Sequence, residues 1–165
     1  MIFMDSVSKQ KRSWIMSRVK SSGNKSTEIK MISVFKKNGF SGWRRNYPLE
    51  GRPDFVFPKQ RIAVFVDGCF WHGHPSRCRI PASNREYWAG KIEKNRKRDR
   101  LVNRRLKEMG WKTLRVWEHE IESQKTARRI EKALEEGAAE AGKAGAVSAS
   151  KGSKAKAPGS RPRTK

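Results

Sequence analysis

Apolar positions recur along this chain in two rhythms, one helical and one alternating, and the switches between them mark its elements. Ile29, Ile32 and Phe35 stand at helical spacing and predict the buried stripe of a helix. Ser26 is its predicted cap, Glu28 in the first turn suits the helix dipole, and Asn38-Gly39 ends it. Three aromatic and β-branched runs follow, Trp43 to Tyr47, Asp54 to Phe57 and Arg61 to Val66. Pro48 and Pro58 punctuate between them, and each run predicts a strand. Ser83-Asn-Arg-Glu86 has capping-box spacing and opens a long helix that Gly110 closes. Lys112 to Trp117 predicts a further strand, and Thr126 to Leu134 a helix with Ala127, Ile130 and Leu134 on one face.

The long helix is informative because its inner stripe is mixed. Trp88, Ile92, Asn95, Asp99, Val102 and Leu106 share a face that is apolar at both ends and polar in the middle. Buried polar groups need partners. One reading therefore sets Asn95 and Asp99 against the loop after Asp67, and the other leaves a solvent-facing gap in the stripe.

The alternation of strand and helix patterns predicts a single α/β domain with a mixed central sheet flanked by helices. Residues 26–137 form that domain, 1–25 a basic arm and linker, and 138–165 a disordered, low-complexity basic tail. A folding part of about 135 residues suffices for one ordinary core. The longest apolar runs are far below the roughly 20 residues that span a bilayer, and Asp5 follows Met1-Ile-Phe-Met too closely for a secretory signal. The expectation is a cytoplasmic monomer with no membrane partner.

Charge narrows the partner. Lys plus Arg number 39 against 16 Asp plus Glu, a net +23. A polyanion is the expected ligand, with affinity falling steeply as salt rises. A basic protein of the ribosomal kind is the plainer reading of charge alone.

Chemistry concentrates in Gly51-Arg-Pro-Asp-Phe-Val-Phe and Val64-Phe-Val-Asp-Gly-Cys-Phe-Trp-His-Gly-His74. Asp54 and Asp67 border apolar runs, so adjacent strands gather them at one sheet edge, where Mg²⁺ would find oxygen ligands for phosphodiester cleavage. Glu28 is either a further acid for that cation or merely a dipole-stabilising first-turn acid. His72 is placed to handle a proton of the attacking water. The sulfur and imidazole groups are Cys69, His72, His74, Cys78 and His119. Cys69, His74, Cys78 and His119 make a zinc set, with His72 competing for the third place, and buried free thiols with surface imidazoles are the alternative. Phe70 and Trp71 are either core residues or a wedge that unstacks base steps.

At these residues the chain resembles the very-short-patch mismatch repair endonucleases, bacterial enzymes with a restriction-endonuclease-like fold. The likeness runs from about Lys11 to Leu134. It is carried by Gly51-Arg-Pro-Asp-Phe, Val66-Asp-Gly-Cys-Phe-Trp-His, Glu86-Tyr-Trp, Lys91-Ile-Glu-Lys-Asn95, Arg98-Asp-Arg, Leu106 to Trp111, and Val116-Trp117-Glu118. The resemblance implies a nicking enzyme that cuts 5′ to the thymine of a thymine–guanine mismatch left by 5-methylcytosine deamination. It implies two catalytic Mg²⁺ held by Asp54 and the Val66 carbonyl, with His72 handling the attacking water. It further implies a structural Zn²⁺ on Cys69, His74, Cys78 and His119. Phe70 and Trp71 would intercalate, Met16 would enter from the other groove, and Asn95 belongs to the expected DNA-binding set. Mismatch-repair proteins and a neighbouring cytosine methyltransferase are partners suggested by the family, in a nucleoid-associated setting.

Three departures stand out. Asp67 takes a place where some members have histidine, and is either a metal ligand or an orienting partner. The His74 to Cys78 segment is longer than in some members, with His119 where cysteine can occur. Cys69 occupies the place where the wider nuclease superfamily has lysine, which leaves His72 as the substitute. Two other classes remain: a zinc-stabilised DNA-binding protein without catalysis, and a restriction-type or RNA-directed nuclease without mismatch specificity.

Overall fold

The computed structural model describes residues 25–149 together with Ser8 and Gln10, with side chains described from Thr27 to Glu140. In chain order the elements are helix α1 (Lys25–Lys37), strands β1 (Phe55–Phe57) and β2 (Ile62–Asp67), and helix α2 (Arg85–Glu108). Strand β3 (Lys112–Trp117), a 3-10 turn (Glu118–Glu120) and helix α3 (Gln124–Ala149) complete the order. The sheet runs β1-β2-β3. A tight turn makes β1 antiparallel to β2, and the crossover through α2 makes β3 parallel to β2.

Strand periodicity divides β2 between two environments. Ile62 and Val64 face a core shared with α1 and α3, built from Met31, Val34, Phe35, Phe55, Phe57, Leu114, Val116, Ile121 and Ile130. Ala63 and Phe65 face Val102 and Leu106 of α2. By the same alternation Asp67 falls on the α2 side, so the strand that builds the core also aims a carboxylate at the long helix. Phe35 centres the larger core, its ring 5.2 Å from Phe55, 5.4 Å from Phe57 and 5.7 Å from Trp43. Truncating a buried ring of this kind typically costs about 3–5 kcal/mol.

Several expected details are corrected. Ile29 is 63% exposed. The buried stripe of α1 is instead Glu28, Met31, Val34 and Phe35, one position round the helix, and this rotation turns Glu28 inward. Helix α2 is entered through Asn84 at φ 55 and ψ 38, a left-handed conformation that asparagine tolerates. The strand expected at Trp43 to Tyr47 is reduced to one bridge, Arg44 to Val56. Asn46 at φ 50 and Pro48 turn the chain away from further pairing. Disorder was expected from Ala138, yet α3 continues to Ala149, because the Ala- and Glu-rich run Ala138-Ala-Glu-Ala favours helix more than its low complexity opposes it. No described helix is long and apolar enough to cross a membrane.

Gly51 decides how the turn before β1 is placed. At φ +77 it would suffer a Cβ clash of 2.3 Å with Val102 Cγ1, so glycine alone lets this turn lie against α2.

Candidate active site

The turn held by Gly51 delivers Asp54 to the end of β2. Its Oδ2 accepts the Val66 backbone N–H at 2.8 Å, the position just past where β1 stops pairing. Burial raises the Asp54 carboxyl above its ordinary value, the Val66 hydrogen bond pulls it back, and the charges of Glu28 and Asp67 push it up again. An acid strained in this way by desolvation and like charge marks a place where a cation would be welcome.

Glu28, 8% exposed, reaches the same region from α1 and is paired with Arg45. Residues Arg45 to Asp54 with Glu28 line a groove of about 690 Å³ that leads to a smaller cavity of about 120 Å³. That inner cavity is bordered by Asp54, Val66, Asp67, His72, Asp99 and Arg115. Asp54 and Asp67 thus share one cavity at the sheet end.

Their roles differ. Asp67, 5% exposed, gives both oxygens to Arg115: Nε donates to Oδ2 at 2.6 Å and Nη2 to Oδ1 at 2.8 Å. The same Nη2 lies 2.9 Å from Asp99 Oδ1, and Nη1 donates to Asn103 at 3.2 Å. Asp99 Oδ2 meets His72 Nδ1 at 2.6 Å. Burial alone would raise the Asp99 carboxyl; the His72 hydrogen bond and the charges of Arg115, His72 and Arg98 outweigh it and hold it below its ordinary value. Asp99 therefore accepts in this contact, and His72 Nδ1 carries the proton of it.

The mixed stripe of α2 is explained by contacts, not by a gap. Asn95 Nδ2 donates to the Trp71 carbonyl at 2.9 Å, so this residue, expected among the DNA-binding set, ties α2 to the loop. The loop is further held by Cys69 N–H on Glu118 at 2.8 Å. Gly73, at φ +65, sits where a Cβ would lie 2.8 Å from Ile92, which lets the loop fold down on α2 beside His72.

Of the sulfur and imidazole groups, Cys69 Sγ lies 3.1 Å from His119 Nδ1 and the His74 and His119 rings are 4.8 Å apart. Cys78 Sγ donates to the Phe70 carbonyl at 3.5 Å. Among the described residues no three of His, Cys, Asp and Glu form a preformed metal cage. Phe70 and Trp71 are half-buried and rest edge-on against Trp88, at 5.4 and 6.1 Å. Met16 lies outside the described residues, as do the rest of the arm to residue 24, Ser8 and Gln10 apart, and the tail from residue 150.

A mixed sheet that collects acids and an oriented imidazole beside a groove in a strongly basic chain has the ground plan of a DNA endonuclease. Comparison narrows the class. The model of the family described as DNA mismatch endonuclease Vsr matches residues 4–78. The type II nicking enzyme V.XorIIP of Xanthomonas oryzae is 38% identical over 118 residues, 71% of this chain and 86% of that protein. The DNA mismatch endonuclease Vsr of Escherichia coli is 41% identical over 92 residues, 55% of this chain and 59% of that one. With the type II nicking enzyme V.NaeI of Lentzea aerocolonigenes the identity is 52% over 69 residues, and the match spans 42% of each chain. This chain belongs to the Vsr family of DNA mismatch endonucleases.

Sequence reasoning left three contributors out of the site. Arg115, Asn103 and Arg45 carry no motif, and Asp99 stood in the mixed stripe and the Arg98-Asp-Arg motif without a role in the chemistry.

Proposed function

We infer that this protein nicks duplex DNA 5′ to the thymine of a thymine–guanine mispair formed by 5-methylcytosine deamination, with Mg²⁺ as cofactor. The observation that carries the reading is one cavity at the end of β2 that holds Asp54 opposite an imidazole whose tautomer is fixed by Asp99.

The donors suit a hard cation. Asp54 accepts the Val66 N–H through Oδ2, and its carboxylate borders the cavity. Within a strand the N–H and C=O of one residue leave on the same side, so the Val66 carbonyl is directed towards Asp54 beyond the end of β1. Mg²⁺ held there, as two ions on the family pattern, would polarise the scissile phosphate and acidify water. His72 Nε2 accepts the proton of the attacking water, and Asp99 stabilises the imidazolium that results. Arg45 and the exposed basic face of α2 hold the flanking phosphates.

Cys69, His74, Cys78 and His119 supply donors of the kind zinc prefers, and the short Cys69 to His119 and His74 to His119 spacings support that assignment. A structural ion there would pin the loop carrying Phe70, Trp71 and His72 to the end of β3. On that loop the aromatic pair would exchange its contacts with Trp88 for stacking between bases. Unstacking costs a few kcal/mol per step, least at a mispair, which gives the wedge its selectivity.

Otherwise identical duplexes that are matched, carry one thymine–guanine pair, or contain an RNA strand separate this reading from its rivals. The mispaired duplex should be nicked roughly 10–100-fold faster, corresponding to a deformation difference of about 1.4–2.7 kcal/mol. Equal rates on matched and mispaired DNA would leave a nicking enzyme of restriction type, and nicking of neither a binding protein.

A further inference from the structure

Arg115 stands on β3 between the buried Leu114 and Val116, and its side chain points to the opposite side of the sheet, towards α2. Register sets it beside Phe65 of β2, with its guanidinium carbon 4.9 Å from the centre of that ring. From there its fork is consumed internally: Nε and Nη2 on Asp67, Nη2 also on Asp99, Nη1 on Asn103. Its charge is secure, because the pairing with Asp67 and Asp99 overcomes the opposing effect of burial. A guanidinium so engaged is not a phosphate clamp.

The contact with Asp99 matters most. A carboxylate turns about a broad, two-fold torsion, so a lone Asp99 could present either oxygen, at a range of angles, to His72. Arg115 fixes Oδ1, and only then is Oδ2 committed to His72 Nδ1 at 2.6 Å. Arg115 also joins β3 to β2 at the residue after Val66, whose N–H places Asp54. One side chain thus connects both halves of the reaction centre.

We propose that Arg115 is a positioning residue for phosphodiester hydrolysis, acting through Asp99 to orient His72 and through Asp67 to hold the strand end that carries Asp54. The proposal rests on the hydrolytic reading of the cavity. The planar fork is what it requires, so a lysine, which offers a point charge, should replace it poorly.

The test compares the full-length wild type with Arg115→Ala and Arg115→Lys in steady-state nicking of a mispaired duplex with Mg²⁺. Nitrogen-resolved NMR of the free proteins, with three histidines to assign, reports the His72 Nδ1–H. Arg115→Ala should lower kcat about 100-fold, the cost of a misplaced catalytic group, with KM within about 3-fold. Millimolar guanidinium should restore about 10-fold of the loss, and the His72 Nδ1–H signal should be lost in the alanine protein. Arg115→Lys should fold and still lie about 10-fold below wild type, so it decides the matter if the alanine protein does not fold. A fall in kcat only as large as the fall in folded fraction, with the His72 signal unchanged, would reduce Arg115 to a structural ion pair. The NMR arm needs neither DNA nor metal. A wild type that fails to nick would therefore overturn the hydrolytic reading while the hold of Arg115 on His72 was still judged.

Discussion

Asp54→Asn should bind a mispaired duplex within about 3-fold of wild type and nick it at least about 1,000-fold more slowly. Asparagine is the sharper substitution because it keeps an oxygen for the Val66 N–H, whereas alanine would take the partner from that part-buried donor. Only the charge is lost. A cation at this point contributes several kcal/mol of transition-state stabilisation, and each 1.4 kcal/mol or so is a factor of ten in rate. Stability should not suffer, since burial and the charges of Glu28 and Asp67 already disfavour the ionised Asp54. The check is a filter-binding titration beside a single-turnover nicking assay, with a urea melt of both proteins. Nicking within 10-fold of wild type would remove Asp54 from the chemistry.

His72→Ala ranks second, with an expected loss of about 10²–10⁴-fold in kcat, the usual contribution of a positioned general base. Asp99 keeps Arg115 as its partner in that variant, so no buried carboxylate is stranded and the fold should hold. Exogenous imidazole at tens of millimolar should recover part of the rate, about 10-fold, because the cavity left beside Asp99 accepts the missing ring. Nicking rates with and without imidazole measure this. A loss below about 3-fold, or a large loss that imidazole does not touch while the melt is unchanged, would argue that another group handles the proton.

How much of this was legible beforehand follows the range of the interactions. Strands β2 and β3 and helix α2 announce themselves through local periodicity, and two contiguous motifs contain Asp54, Asp67, Phe70, Trp71 and His72. The polar break at Asn95 and Asp99 could be read as a demand for partners because a helix face has a fixed period. Arg115 was invisible for the opposite reason. In Lys112-Thr-Leu-Arg-Val-Trp it is one polar residue of an alternating strand, and only the parallel register with Phe65 shows that its side of the sheet faces Asp67 and Asp99. Glu28 was recognised as an acid in a first turn, but its direction depended on a stripe that begins at Glu28 and not at Ile29, a rotation of one residue. Arg45, which meets Glu28, comes from an irregular segment where no period constrains the side chain. The length of α3 was misjudged because a run rich in alanine resembles both a helix and a low-complexity tail.

The central claim is that the cavity at the end of β2 hydrolyses one phosphodiester bond beside a mispair. The most direct measurement is a duplex with one central thymine–guanine pair, each strand end-labelled in turn, incubated with wild-type protein in Mg²⁺ or in EDTA. The account predicts a single cut, in the strand bearing the mispaired thymine and on its 5′ side, present with Mg²⁺ and absent with EDTA. Intact duplex in Mg²⁺ at protein concentrations that saturate binding would contradict it.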